Sequence, residues 1–168
     1  MNQESTAKIL DWTTLLNRRH EAKAAGKTVV WTNGCFDLIH VGHVRNLQAA
    51  RQLGDLLVVG INSDASVRTL KGAGRPILSE KDRSEMIAAF ACVDYVVIFA
   101  ELEPTVAIDR LRPDIHCKGA EYALPGGKPI PEAALIESYG GRIEYLPMIP
   151  GISTSDLIQR IRALDTVE

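Results

Sequence analysis

The chain has 168 residues, of which 46% are hydrophobic and 24% are charged. This balance is typical of a globular protein and excludes a disordered chain, and the length suffices for one compact domain with its own core. The formal net charge of -2 excludes a global basic field that would attract nucleic acid or an acidic membrane surface. We therefore expect a single domain over residues 1–168 that binds neither nucleic acid nor membrane.

The cysteines and the N-terminal residues indicate the compartment. Cys35, Cys92 and Cys117 are an odd, widely spaced set, which argues against both a disulfide framework and a structural zinc site. The first residues lack the basic and then apolar pattern of a secretory signal, and no apolar run is long enough to cross a bilayer. These features predict a cytoplasmic protein.

Helix patterns alternate with short apolar runs along the chain. A polar helix is predicted over about 11–25, ahead of the core and ended by Gly26. Strands are expected at 28–32, 56–61, 95–99, 114–117 and 142–146, and helices at 42–53, 62–70, 80–91, 104–111, 131–139 and 154–164. A loop is expected over 118–129. Five strands alternating with helices imply right-handed crossovers, so we predict an α/β, Rossmann-like fold with a doubly wound, five-stranded parallel sheet.

The segment after the first predicted strand carries the strongest chemical signal, because ligands of such sheets bind beyond the carboxyl ends of the strands. His40 and His43 project from the start of a helix, and Gly42 between them leaves room for a phosphate to approach the backbone. The helix N-terminus adds N–H donors for an anion. The alternatives are a helix start with two incidental histidines, or a zinc pair, although no plausible third ligand accompanies the pair.

The longer pattern Gly34-x-Phe36-Asp37-x-x-His40-x-Gly42-His43 resembles the signature of the cytidylyltransferase-like family of nucleotidyltransferases. Further segments continue the resemblance over about residues 28–164. In chain order they are Asn62-Ser63-Asp64, Lys71-Gly72-x-Gly74-Arg75-Pro76, Asp82-Arg83, Cys92-Val93-Asp94-Tyr95-Val96 and Gly151-Ile152-Ser153-Thr154-Ser155. An ordered set of motifs is far more specific than any one of them.

Within that family, the chain is similar to the adenylyltransferases of ADP-heptose synthesis. The resemblance implies transfer of AMP from ATP to a sugar 1-phosphate, D-glycero-β-D-manno-heptose 1-phosphate, as a precursor step for lipopolysaccharide core. Mg²⁺ is the expected cofactor, because it neutralises the charge of the triphosphate. Many relatives carry a sugar kinase before this domain, so a stand-alone version is expected here. Relatives commonly self-associate, which favours a homo-oligomer and in particular a dimer.

The resemblance and the chemistry together assign roles to residues. His40, His43 and Lys71 are the predicted catalytic residues, acting as donors to developing charge. Nucleotide or phosphate contacts are predicted for Asn33, Gly34, Cys35, Phe36, Asp37, Gly42, Lys118, Gly119, Ser153, Thr154 and Ser155. Contacts with the second substrate are predicted for Asn62, Asp64, Arg75, Arg83 and Glu121. No dedicated metal cage is predicted, and Asp37 is the one candidate Mg²⁺ ligand.

Each of these roles has a structural alternative. Lys71 would otherwise be a solvated loop lysine, and Arg75 and Arg83 would form surface ion pairs. The serines and the threonine at 153–155 would be ordinary helix caps, and Asp37 would shape a turn.

Two features leave the substrate open. Close relatives more usually carry Gly-Gly-Asp-Tyr after the lysine, whereas this chain has Ala120 and Glu121 before Tyr122. In addition, the choice of base often depends on backbone contacts, which a sequence does not display. The alternatives are therefore a cytidylyltransferase for glycerol 3-phosphate or another polyol phosphate, and a nucleotide-binding regulatory protein that has lost catalysis.

Overall fold

The computed structural model describes residues 5–123, 127–147 and 151–164. Its centre is a five-stranded sheet in which every neighbouring pair of strands is parallel. The strands are β1 (Val29–Gly34), β2 (Leu56–Asn62), β3 (Tyr95–Phe99), β4 (Ile115–Gly119) and β5 (Arg142–Leu146). Their order across the sheet is β3-β2-β1-β4-β5, which confirms the predicted fold class. The chain winds outward in both directions from β1, so β1 marks the position where ligands bind in such sheets.

In the described part of the chain, seven α-helices connect or flank these strands, close to the predicted positions. They are α1 (Trp12–Ala24), α2 (Val41–Arg51), α3 (Asp64–Lys71), α4 (Glu80–Ala88), α5 (Thr105–Leu111), α6 (Ala133–Ser138) and α7 (Thr154–Leu164). Side-chain oxygens of Asp11, Ser63 and Ser79 cap the first turns of α1, α3 and α4. Across the described ranges, none of the helices has the length and apolar character of a membrane span.

The predicted loop over 118–129 is wrong at its beginning. Lys118 and Gly119 are the last residues of β4, and Ala120–Tyr122 forms one 3₁₀ turn. Both residues pair with β5, so the ladder carries the strand beyond its apolar part. Residues 124–126 of the predicted loop lie outside the described part of the chain.

The side chains of β1 alternate between two apolar cores, one on each face of the sheet. Val30 packs in the core that contains Leu47 of α2, whereas Trp31 packs in the core that contains Leu15 of α1 and Ile108 of α5. This alternation follows from the two-residue period of a strand, and burial of both faces explains why the central strands are nearly all apolar.

Trp31 connects the core to the carboxyl end of β1. Its ring lies against Gly60 of β2, where a Cβ atom would sit 2.4 Å from two ring carbons, so this position of β2 accepts only glycine without rearrangement. The indole N–H of Trp31 donates to Oδ1 of Asn33 at 3.3 Å. The packed indole therefore fixes the side chain of Asn33 where the strand ends.

Candidate active site

An open cavity of about 870 Å³ lies beyond the carboxyl ends of β1, β2 and β4. Most of the residues predicted from the sequence border it: Asn33, Gly34, Cys35, Phe36, Asp37, His40, Gly42, His43, Asn62, Lys71, Arg75, Lys118, Gly119, Glu121, Ser153, Thr154 and Ser155. Asp64 and Arg83 do not border it. The fold thus brings motifs from the two ends of the chain to one place.

The two histidines are held by backbone N–H groups at the start of α2. Nδ1 of His40 accepts the N–H of Gly42 at 3.1 Å, and Nδ1 of His43 accepts the N–H of His40 at 3.3 Å. A ring nitrogen that accepts a hydrogen bond carries a lone pair, so the proton of each neutral imidazole lies on Nε2. Both residues border the cavity, and each therefore offers it one Nε2–H donor.

Both imidazoles are neutral at pH 7. Burial lowers the pKa of His40 below its usual value. Burial, together with the neighbouring His40, lowers the pKa of His43 to about 4. The ring centroids are only 3.9 Å apart, so a charge on one ring disfavours a charge on the other. The pair donates hydrogen bonds without carrying positive charge.

The loop between β1 and α2 is shaped around these rings. A Cβ atom on Gly42 would lie 2.8 Å from Cε1 of His40, so the close contact requires glycine. Phe36 adopts a φ of 48°, which is uncommon for a residue with a side chain and is typical of functional sites. Its ring packs 5.3 Å from that of His43. Burial raises the pKa of the Cys35 thiol, which argues against a nucleophilic role for it.

The start of α7 lies beside the same loop. The Ser153 hydroxyl accepts the N–H of Asp156 at 3.1 Å and so caps the helix, which is the structural alternative considered for this motif. The Thr154 hydroxyl donates to the carbonyl oxygen of Leu38 at 3.3 Å. The N-termini of α2 and α7 therefore both open into the cavity, and helix N-termini favour anions such as phosphate.

The contacts of Asp37 match the structural alternative to its predicted Mg²⁺ role. Its carboxylate has no exposed surface, and it accepts hydrogen bonds from Nε of Arg75 and from the N–H groups of Ile77 and Leu78. These donors neutralise the carboxylate and tie the loop after β1 to residues 75–78. Within the described ranges, no group of three or more His, Cys, Asp or Glu side chains could hold a metal ion. These residues do not fit a protein-built Mg²⁺ site.

Arg83 also serves the fold instead of the predicted substrate contact. Its side chain is fully buried, and it donates to the carbonyl oxygens of Cys35, Asn62 and Leu78 and to the carboxylate of Asp64. The guanidinium therefore joins the carboxyl ends of β1 and β2, and it forms an ion pair with the carboxylate of Asp64. Asn62 reaches the edge of the cavity, but its amide group donates within the protein.

Two lysines flank β1 at the mouth of the cavity. Lys71 is the exposed last residue of α3, which follows β2, and so it lies on a helix rather than on the predicted glycine-rich segment. Lys118 ends β4, and its Nζ lies 2.5 Å from Oε1 of Glu132. The Glu121 carboxylate lies over Gly119, where a Cβ atom would be 2.0 Å from Oε2.

The polar residues that border the cavity but were not predicted from the sequence include Asn46, Tyr122, Lys128 and Glu132. Asn46 stands three residues after His43, a spacing that places both on one face of α2, so helical periodicity could have identified it. Glu132 belongs to no local motif, and its partners lie on β4.

Residues 31–160 match the cytidylyltransferase-like family. The chain belongs to the cytidylyltransferase-like family. This membership confirms the nucleotidyltransferase class that the motifs predicted.

The relatives and a solved structure agree with the family. The chain is 56% identical over 140 residues to the bifunctional protein HldE of Syntrophotalea carbinolica, covering 81% of this chain and 27% of the relative. It is 48% identical over 158 residues to the bifunctional protein HldE of Geobacter sulfurreducens, covering 94% and 32%. The chain thus spans about a third or less of these curated relatives. The crystal structure of the lipopolysaccharide core biosynthesis protein from Thermoplasma volcanium GSS1 superposes with a TM-score of 0.59 at 26% identity, covering 74% of this chain and 98% of that one.

Proposed function

We propose that this chain transfers AMP from ATP to D-glycero-β-D-manno-heptose 1-phosphate, with release of pyrophosphate and formation of ADP-heptose. Membership of the family supports the nucleotidyl transfer. The choice of adenine and of heptose rests on the sequence resemblance to the adenylyltransferases of ADP-heptose synthesis. The similarity to proteins named HldE and to a lipopolysaccharide core biosynthesis protein is in line with that choice.

The observation that carries the proposal is the pair of neutral imidazoles at the start of α2. Their Nδ1 atoms accept backbone N–H groups, which leaves Nε2–H donors on both His40 and His43. Two fixed donors beside two helix N-termini suit a triphosphate, because they need no reorganisation when charge develops on its oxygens. Lys71 and Lys118 add positive charge on either side of them.

In the proposed reaction, an oxygen of the sugar phosphate attacks the α-phosphorus of ATP in line with the leaving pyrophosphate. The bond from the α-phosphorus to the bridging oxygen breaks, and pyrophosphate keeps the electron pair. The attacking oxygen is already anionic, so no protein base and no covalent intermediate are needed. The protein contributes by positioning the two phosphates and by donating to the triphosphate oxygens through His40 and His43.

Mg²⁺ enters this proposal with ATP rather than through a site built by the protein. The buried Asp37 carboxylate is occupied by its own donors, and Mg²⁺ commonly binds through substrate phosphates. We also propose a cytoplasmic homodimer, which rests on the sequence features and on the resemblance alone. Size-exclusion chromatography with light scattering would give its mass in solution and so its oligomeric state.

Pyrophosphate release tests the function. The protein is incubated with Mg²⁺ and either ATP or CTP, with and without the heptose 1-phosphate, and glycerol 3-phosphate serves as an alternative acceptor. We expect pyrophosphate release that depends on both ATP and the heptose 1-phosphate. Release with CTP and glycerol 3-phosphate would instead establish the polyol phosphate alternative, and nucleotide binding without turnover would indicate a regulatory protein.

A pair of alanine variants connects the rate to the imidazoles. His43→Ala removes one donor from the cavity and should lower kcat by about 100-fold. His20→Ala removes an exposed imidazole of α1 and should leave kcat within about twofold, because surface changes far from the site have small effects. Equal rates for the two variants would remove His43 from the mechanism.

A further inference from the structure

Three ionisable side chains form a buried cluster on the β4 side of the cavity. Oε1 of Glu132 lies 2.5 Å from Nζ of Lys118 and 3.1 Å from Nε2 of His116. His116 and Lys118 are alternate residues of β4 and so project from the same face of the sheet. Glu132 directly precedes α6. The side chains of Glu132 and His116 have no exposed surface, whereas that of Lys118 is 12% exposed.

The charges within the cluster follow from its contacts. Burial opposes ionisation of Glu132, but hydrogen bonds from His116 and Lys118 outweigh it and lower the pKa of Glu132 to about 2. Burial lowers the pKa of His116, so the neutral imidazole donates its Nε2–H to the carboxylate. The cluster therefore pairs one carboxylate with one ammonium, and of the three side chains only that of Lys118 has exposed surface.

Stability alone is a poor explanation for this cluster. Desolvating a buried ion pair often costs as much as the attraction returns, and apolar side chains of similar volume can do as well. Among residues 5–123, 127–147 and 151–164, Oε2 of Glu132 has no hydrogen-bond partner, and a buried polar atom of this kind calls for an explanation.

The position of the ammonium group suggests what the cluster does. Nζ of Lys118 lies 5.2 Å from the centre of the Tyr122 ring, in addition to its contact with Glu132. An ammonium group has three N–H donors, and one of them serves Glu132. Among the described residues, the other two N–H donors of Lys118 are left for a ligand. The contacts with Glu132 and Tyr122 already restrict the rotamers of this long side chain, so phosphate binding costs less conformational entropy.

We propose that Glu132 is a positioning residue, which together with His116 fixes the ammonium of Lys118 at the cavity edge for a phosphate group of the bound ligand. The identity of that phosphate, on ATP or on the sugar, rests on the proposed function. Glu132 itself does not touch the reacting atoms. Its effect on ligand binding therefore depends on the presence of Lys118.

A double-mutant cycle tests this dependence. The affinities for Mg·ATP and for the heptose 1-phosphate are measured by calorimetry for the wild type, Glu132→Gln, Lys118→Met and the double variant. We expect Glu132→Gln to weaken the affinity for one of these ligands about tenfold, by analogy with the loss of a residue that orients a metal ligand. The same substitution in the Lys118→Met background should change that affinity less than about twofold. In steady state, the KM for that ligand should rise much more than kcat falls.

Matched variants separate positioning from general destabilisation. Glu137→Gln removes the same charge from an exposed position of α6 and should leave both affinities unchanged. Glu132→Asp keeps the charge but shortens the side chain by one methylene, so its ligand affinity should lie between those of Glu132→Gln and the wild type. It replaces Glu132→Gln in the cycle if that variant folds poorly. Thermal unfolding of every variant checks that each protein is folded at the temperature at which its affinity is measured.

The proposal is overturned if Glu132→Gln leaves both affinities within about twofold of the wild type, or if it weakens binding equally with and without Lys118. Failure of the proposed function gives a different result. In that case the wild type would bind Mg·ATP without using the heptose phosphate as a substrate. The double-mutant cycle on the Mg·ATP affinity would still show whether the effect of Glu132→Gln depends on Lys118.

Discussion

Gly42→Ala changes a single methyl group at the point where the two histidines meet. The new Cβ atom would lie 2.8 Å from Cε1 and 2.9 Å from Nδ1 of His40, well inside the contact distance of about 3.5 Å between carbon atoms. The imidazole must rotate away, and it then loses the 3.1 Å hydrogen bond from the Gly42 N–H. The substitution therefore misdirects the Nε2–H donor of His40.

Two effects on stability oppose each other in this variant. Overpacking costs about 1–3 kcal/mol, whereas replacing glycine by alanine in a helix returns up to about 1 kcal/mol. The free energy of unfolding should therefore fall by about 0–3 kcal/mol. Loss of one aimed donor lowers kcat by about 100- to 1,000-fold, or about 3–4 kcal/mol of transition-state stabilisation. Activity should suffer more than stability.

The assay is sugar-dependent pyrophosphate release, with urea unfolding of the same samples. Gly74→Ala is the control, because Gly74 lies outside the positive-φ region and a Cβ atom there would have no neighbour within 4 Å. The control should keep the wild-type kcat within about twofold. A Gly42→Ala protein whose kcat is within about threefold of the wild type would refute the reasoning about the aimed donor.

Three further predictions concern the metal, pH and the core. Asp37→Asn should lower the free energy of unfolding by about 3 kcal/mol, because it leaves Arg75 without its charge partner. The Mg²⁺ concentration that gives half the maximal rate should stay unchanged. A large rise in that concentration would indicate that Asp37 is a metal ligand. The pKa of His43 is about 4 in the folded protein and about 6.5 in the unfolded chain, so its contribution to stability is complete above pH 6.5 and declines as the pH falls towards 4. Between pH 7 and pH 5, the free energy of unfolding of the wild type should fall by about 1 kcal/mol more than that of His43→Gln, allowing for partial exposure. Equal losses for the two proteins in urea unfolding would contradict this. Gly60→Ala should lower the free energy of unfolding by about 1–3 kcal/mol through overpacking against Trp31, and an unchanged urea midpoint would show that the ring can move aside.

Local patterns were enough to predict most of the fold. The apolar runs of β2 and β3 are encoded within a few neighbouring residues, so a single sequence displays them. The end of β4 is different. Lys118 and Gly119 look like loop residues, and they become part of a strand only because β5 pairs with them across the sheet.

The site divides in the same way. The short motif predicted that His40 and His43 lie at the start of a helix. The hydrogen bonds that His40, Gly42 and His43 make with one another were not predicted. The roles of Arg83 and Glu132 depend on partners that are distant in sequence, since Arg83 bonds to Cys35 and Glu132 lies beside the end of β4. Such burial and pairing arise from the topology of the sheet and leave no local signal.

Phosphorus NMR of the complete reaction shows whether AMP is joined to the sugar phosphate. The protein is mixed with Mg²⁺, ATP and D-glycero-β-D-manno-heptose 1-phosphate, and the ³¹P spectrum is followed over time. We expect equal growth of free pyrophosphate and of a coupled pair of signals from a sugar-linked diphosphate, with no inorganic phosphate. Formation of ADP and inorganic phosphate, or a spectrum in which the sugar phosphate is not consumed, would contradict it.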